Sequence, residues 1–225
     1  MAKLTFDATP AQFETSLERC AAIFIDMQRD FLEPGGFGES LGNDVSRLRG
    51  AIEPCKRLLT GLRRAGAFVI HTREGHRPDL SDAPPAKVHR GAGPKIGDVG
   101  PMGRILVRGE PGHDLIEELH PIAGEPVIDK PGKGAFYATE LEPMLRNRNI
   151  EALLVCGVTT EVCVHTTVRE ANDRGFRCAV VSDCCASYFP EFHEVALRMV
   201  CAQGGIFGWV TQSSQVLDAL ARAAQ

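Results

Sequence analysis

Six short runs dense in Ile, Val, Leu and Ala punctuate the chain, at 21–25, 68–70, 126–128, 152–155, 178–181 and 206–210. Their apolar residues are consecutive rather than alternating, the pattern of strands covered on both faces, which a sheet acquires when helices pack above and below it. The intervening segments carry that helical signal. Val45, Leu48, Ile52, Cys55, Leu58, Leu59 and Leu62 recur at spacings of three or four, and Gly66 follows as a stop, so one amphipathic helix is predicted over 45–65. Shorter helical patterns fall at 114–119, 139–146, 162–174 with Gly175 as stop, 191–202 and 214–223. Strand and helix alternate to the end, which predicts an α/β fold with a six-stranded, mainly parallel sheet and right-handed crossovers.

A chain of 225 residues with 44% hydrophobic and 24% charged residues can bury one continuous core, so a single domain over 1–225 is expected. The net charge is −4 and the basic residues are scattered, which excludes a phosphate-tracking surface and, with it, nucleic acid as the expected partner. Residues 1–15 are polar and include Asp7 and Glu14, and no stretch approaches the ~20 apolar residues of a membrane span, so a cytoplasmic protein is expected. The eight cysteines form no C-x-x-C pair. Cys156, Cys178 and Cys201 sit in apolar runs as small hydrophobes, and adjacent Cys184 and Cys185 have neither zinc-site nor redox spacing. The stretch 75–103, rich in Pro, Gly and Asp, is too long for a neutral connector and is expected to shape a site or a subunit contact.

Ligands of open α/β sheets gather at the carboxyl ends of the strands, so the polar residues that follow each apolar run come first. Asp26 follows the first run and is desolvated by its neighbours; its alternative role is to cap the next turn. Lys130 follows the third run, where its ammonium could hold an anion, although Asp129 and Lys133 are also charged and a solvated loop lysine is the ordinary case. After the fourth run, Gly157-Val158-Thr159-Thr160-Glu161-Val162-Cys163 places Cys163 in the first turn of a helix, where unpaired N–H groups favour a thiolate and could hold an oxyanion. Packing under the sheet is the competing role for that cysteine. Convergence of a carboxylate, a cation and a helix-terminal thiol on one rim favours catalysis.

These residues resemble the isochorismatase-like cysteine hydrolases: Ile25-Asp26-Met27-Gln28 with Asp30-Phe31, Lys130 ahead of Ala135-Phe136, and 157–164, over a span of about 21–212. The resemblance implies a Rossmann-like three-layer sandwich of strand order 3-2-1-4-5-6 and a homo-oligomer, a tetramer being the favoured form; no cofactor is expected. It also implies C–N hydrolysis through a thioester on Cys163, with Asp26 moving the proton and Lys130 supporting charge, and a cis peptide between Val158 and Thr159 with the amides of Thr159 and Cys163 as oxyanion hole. Isochorismatase proper, which cleaves a vinyl ether without a cysteine nucleophile, fits Cys163 less well, and an idle binding module would not need all three residues.

The stretches 71–80, 108–112, 129–134, 169–175 and 203–205 look most like the biuret and triuret hydrolase branch, more than nicotinamide, ureidoacrylate or N-carbamoylsarcosine amidohydrolases. The substrate expected is therefore a small linear carbamoyl-urea, with the other amides as alternatives. By that resemblance Gln203 binds the distal amide and Phe31 covers the planar face; a helix-end glutamine bonded to backbone is the other role open to Gln203. Arg73, Glu74 and His76 could bind substrate or instead order the long loop through ion pairs. Residues 184–192 and Phe37-Gly38 depart from that branch and are expected near the pocket mouth. Nicotinamidases carry Asp-x-His after the second strand; here Glu74 and His76 stand there with only His89 as a third candidate, so no required metal is expected.

Overall fold

A computed structural model describes residues 3–223. The described residues form ten strands: β1 (Lys3–Phe6), β2 (Phe13–Ser16), β3 (Cys20–Ile25), β4 (Phe68–Glu74), β5 (Val99–Gly100), β6 (Gly103–Arg104), β7 (Val127–Lys130), β8 (Ala152–Val158), β9 (Arg177–Ala186) and β10 (Trp209–Thr211). Two short antiparallel pairs, β1 with β2 and β5 with β6, lie outside the main sheet. The main sheet has six strands in the order β10-β9-β8-β3-β4-β7, every neighbouring pair parallel. Counted along the chain, that is the 3-2-1-4-5-6 order expected from the resemblance.

Consecutive apolar residues are needed because successive side chains enter opposite layers. On β3, Ala22 and Phe24 join one buried cluster, which holds Leu58, Leu59 and Leu62 of the helix Ile52–Arg64 and Val216 and Leu220 of the helix Ser213–Ala223. Ala21, Ile23 and Ile25 join the other, with Leu141 and Leu145 of the helix Leu141–Asn147 and Val168 and Ala171 of the helix His165–Asp173.

Three expectations need correction. The helix over 45–65 is two, Ser46–Arg49 and Ile52–Arg64, because the chain turns at Gly50 and Ala51 before the apolar stripe continues. The helix at 114–119 is replaced by the 3-10 turns Pro111–His113 and Glu117–Leu119, so the short apolar spacing there records loop burial rather than helical period. The last strand begins at Trp209 rather than 206: the chain reaches it through Gly208 at φ 149°, where a Cβ would stand 2.4 Å from the Cys178 carbonyl oxygen. All eight cysteines are free; Cys201 is half-buried rather than part of the core.

Candidate active site

The strand order reverses between β3 and β8, the switch point at which an open α/β sheet forms a crevice beyond its carboxyl ends. At that point Gly157 sits beside a register shift between β8 and β9, and a Cβ on it would meet the Ile25 carbonyl oxygen at 2.0 Å, so only glycine lets the two central strands approach here. Asp26 leaves β3 with φ 51°, a region rarely used by residues other than glycine, and this turns its carboxylate across the strand ends.

Strand parity decides which polar side chains join it. Ile70 and Ile128 belong to the same buried layer as Cys163, and the residues two and four positions beyond Ile70 (Thr72, Glu74) and two beyond Ile128 (Lys130) follow them to that side. Thr72 Oγ1 donates to Asp26 Oδ1 at 2.7 Å. Lys130 Nζ stands 2.7 Å from Asp26 Oδ2 and donates to the carbonyls of Gly132 and Lys133 at 3.0 and 2.8 Å. Lys130 and Asp26 are both fully buried. Burial opposes the Lys130 charge, but Asp26, Cys163 and Glu74 outweigh it and hold the ammonium above its usual range. Sequence reasoning thus placed Asp26, Lys130 and Cys163 together, and the structure brings them together.

Glu74 is equally central. The Cys163 thiol donates to Glu74 Oε2 at 3.6 Å, and Oε1 of the same carboxylate pairs with Lys133 at 2.7 Å and Lys87 at 2.9 Å. Burial opposes its ionisation; Lys133, Lys130 and Lys87 overcome that and bring it down to about 2. Gln28 fixes the Glu74 backbone, accepting from its N–H at 2.7 Å and donating to its carbonyl at 3.0 Å. Burial pushes the Cys163 thiol well up, with Lys130 pulling down and Asp26 and Glu74 pushing up, so Cys163 rests as a protonated thiol. Lys87 was not singled out from sequence. It arrives on the helix Pro85–Val88 within the long loop 75–103, which therefore shapes the site. No periodicity announces such a contact; Glu74 was already among the candidates for substrate, and the parity of Thr72 with Ile70 would have added Thr72.

Cys163 lies in the π-helical turn Thr160–Val164, ahead of the helix His165–Asp173. The peptide between Val158 and Thr159 is cis, and the Thr159 carbonyl accepts from the amides of Val162 and Val164, both at 3.2 Å. Beyond the thiol opens a cleft of about 290 Å³, walled by Phe31, Phe37, Tyr188 and Phe189 and edged by Glu74, Lys133, Arg90 and Glu161. That volume suits a small molecule. Phe31 is therefore in place, and the 184–192 segment and Phe37-Gly38 do line the mouth, with Tyr188 Oη donating to the Phe31 carbonyl at 2.8 Å.

Three proposed substrate contacts are elsewhere. Gln203 is exposed at a kink where the helix Pro190–Gly205 loses helical geometry, at φ 53°, and is not among the cleft residues. Arg73 has the opposite parity to Glu74 and pairs with Asp129 at 2.8 Å and Asp114 at 3.3 Å. His76 turns Nδ1 to Asp82 at 3.2 Å. Arg73 and His76 thus order loops, the second role considered for them. Ligand-type atoms of Asp26, Glu74 and Cys163 lie within 4.8 Å of one another. The lysines on both carboxylates already supply the positive charge that a cation would bring, so this donor set does not fit a tightly held metal.

Comparison with known proteins agrees with this geometry. Residues 20–215 match the isochorismatase domain model. Ureidoacrylate amidohydrolase RutB of Yersinia enterocolitica is 32% identical over 221 residues, 96% of this chain and 94% of the relative. A cysteine hydrolase from Pseudomonas syringae pv. phaseolicola superposes with a TM-score of 0.79 at 26% identity, covering 99% of this chain and 100% of that one. An N-carbamoylsarcosine amidase from Thermoplasma acidophilum shares the fold at a TM-score of 0.67 and 23% identity, over 88% of this chain and 98% of its own. Among the described residues no helix is long and apolar enough to cross a membrane.

Proposed function

Given that this chain belongs to the isochorismatase family and is an amidohydrolase, we propose that it hydrolyses the C–N bond of a small ureido compound through a thioester on Cys163. The observation that carries the reading is the buried thiol 3.6 Å from Glu74, in one cluster with the Asp26–Lys130 pair, at the floor of the aromatic cleft.

In this mechanism the substrate carbonyl enters over Cys163, the thiol proton passes to Asp26, and sulfur adds to the carbonyl carbon. The resulting oxyanion is held by the amides of Thr159 and Cys163. Asp26 returns the proton to the leaving nitrogen, the C–N bond breaks, and a carbamoyl thioester remains. Water then adds with Asp26 as base, the C–S bond breaks, and the carbamate product decomposes to ammonia and bicarbonate. Lys130, already saturated by three oxygen partners, keeps Asp26 in position and offsets the charge that gathers there. Glu74 offers a permanent acceptor to an N–H of the bound ureide.

The substrate favoured is ureidoacrylate or a similar ureido acid, the alternative in the sequence-based expectation rather than biuret or triuret. The relatives are named for ureidoacrylate, and the cleft supplies a reason: Lys133 at its edge is taken by Glu74, but Arg90 has no ion pair among the described residues and suits a substrate carboxylate. Biuret and triuret are neutral and would leave Arg90 without a partner. Ammonia release measured in parallel on ureidoacrylate, biuret, triuret, N-carbamoylsarcosine and nicotinamide tests the reading. The ureido acid should have the highest kcat/KM; preference for biuret or triuret would restore the carbamoyl-urea assignment, and preference for nicotinamide would reject both.

A further inference from the structure

The turn that carries the nucleophile is held from behind as well as from the cleft. Thr160, its first residue, is 1% exposed, and its hydroxyl lies 2.8 Å from Nδ1 of His193, on the helix Pro190–Gly205. His193 is half-buried and borders a second cavity together with Arg47, Asp183 and Glu194, none of which lines the catalytic cleft. We propose that His193 is a positioning residue: its imidazole fixes the Thr160 hydroxyl, and through it the turn Thr160–Val164 that aims Cys163.

The chemistry of the contact makes it sensitive to proton uptake. Neutral imidazole with its proton on Nε2 accepts the Thr160 O–H at Nδ1, whereas imidazolium donates from both nitrogens and obliges the hydroxyl to turn its proton elsewhere. The groups around His193 act in both directions. Burial, the largest influence, lowers its affinity for a proton, Glu161 and Glu194 favour protonation, and Arg47 and Asp183, of opposite charge, line the same cavity. His193 is therefore neutral at pH 7, and the contact changes character only as pH falls below the ordinary imidazole range. A deletion of this contact misplaces the nucleophile without removing any group that touches substrate, so it should appear in kcat more than in KM.

The inference rests on the amidohydrolase reading for its turnover assay, and a substrate-free readout separates the two. His193→Phe and Thr160→Val should each lower kcat about tenfold with KM within twofold, and the double variant should lose no more than either single one, because both remove the same contact. His193→Asn, whose Oδ1 can take the place of Nδ1 as acceptor without titrating, should restore most of kcat and flatten the acid limb of the kcat profile. Alkylation of Cys163 by iodoacetamide, which needs no substrate, should change in rate in His193→Phe and Thr160→Val and return in His193→Asn. Unaltered kcat and alkylation in His193→Phe, additive losses in the double variant, or failure of His193→Asn to rescue would each overturn the brace. No ammonia release by the unaltered protein would instead overturn the functional reading and leave the alkylation result to decide the brace.

Discussion

Strand β4 has a charge cluster on each face, and the two differ in what surrounds them. On one face Thr72 and Glu74 meet Asp26, Lys130, Lys133 and Lys87 around a thiol, with the central groups 0–1% exposed. On the other, Arg73 meets Asp129 and Asp114 with a quarter or more of each side chain in water, and His113 lies 3.5 Å from Asp129. Burial and the Arg73 charge lower His113 to about 4, so it stays neutral there. Both clusters are dense in titratable groups at strand ends, yet of the two only the first encloses a thiol and opens on a cleft. Perturbed titration marks a site only when it coincides with space for a substrate.

Removal of the proposed nucleophile should separate the faces most sharply. Cys163→Ala should abolish turnover, a loss of about 10³-fold or more, with a stability change within about 1 kcal/mol, measured by ammonia release and thermal unfolding. Near-normal turnover would end the thioester mechanism. Next is the buried ion pair: Lys130→Ala should lower kcat about 10²-fold or more and destabilise the fold by about 3–5 kcal/mol, because Asp26 is left charged and buried. Lys133→Ala should lose only about tenfold, since Lys87 still pairs Glu74. A reversal of those two losses would move the catalytic lysine to 133.

Glu74 gives a test in acid. Its native value of about 2 lies below the ordinary 4.5, so the ionised form stabilises the fold above about pH 4.5, and that stability is lost as pH falls toward 2. Glu74→Gln should flatten this part of the stability profile, read by denaturant unfolding between pH 5 and 2.5, and lower kcat/KM on the ureido substrate; an unchanged acid profile would place the acid-labile groups elsewhere. On the other face, Arg73→Ala should cost about 1 kcal/mol and leave kcat within twofold. The smallest effect is expected at Gln203→Ala, with kcat/KM within twofold; a large loss there would return the distal-amide role to Gln203.

The sheet was legible in the residues alone, because covering both faces of a parallel strand requires consecutive apolar residues, and β3 and β8 have them throughout. The convergence of Asp26, Lys130 and Cys163 was legible too, since Asp26 directly follows β3, Lys130 ends β7 and Cys163 lies one turn after β8, where an open sheet exposes its ends. The remaining contacts came from three-dimensional packing. Glu74, Arg73 and His76 are near neighbours in sequence but were parted by strand parity and by the path of the chain after β4, which sent one to the thiol and two to structural carboxylates. Lys87 reached Glu74 through an irregular loop, and Gln203 was carried outside the cleft by a local kink. Contacts of this kind depend on where non-periodic segments come to rest, which is fixed by packing across the whole molecule and leaves no repeating signature in the residues that make them.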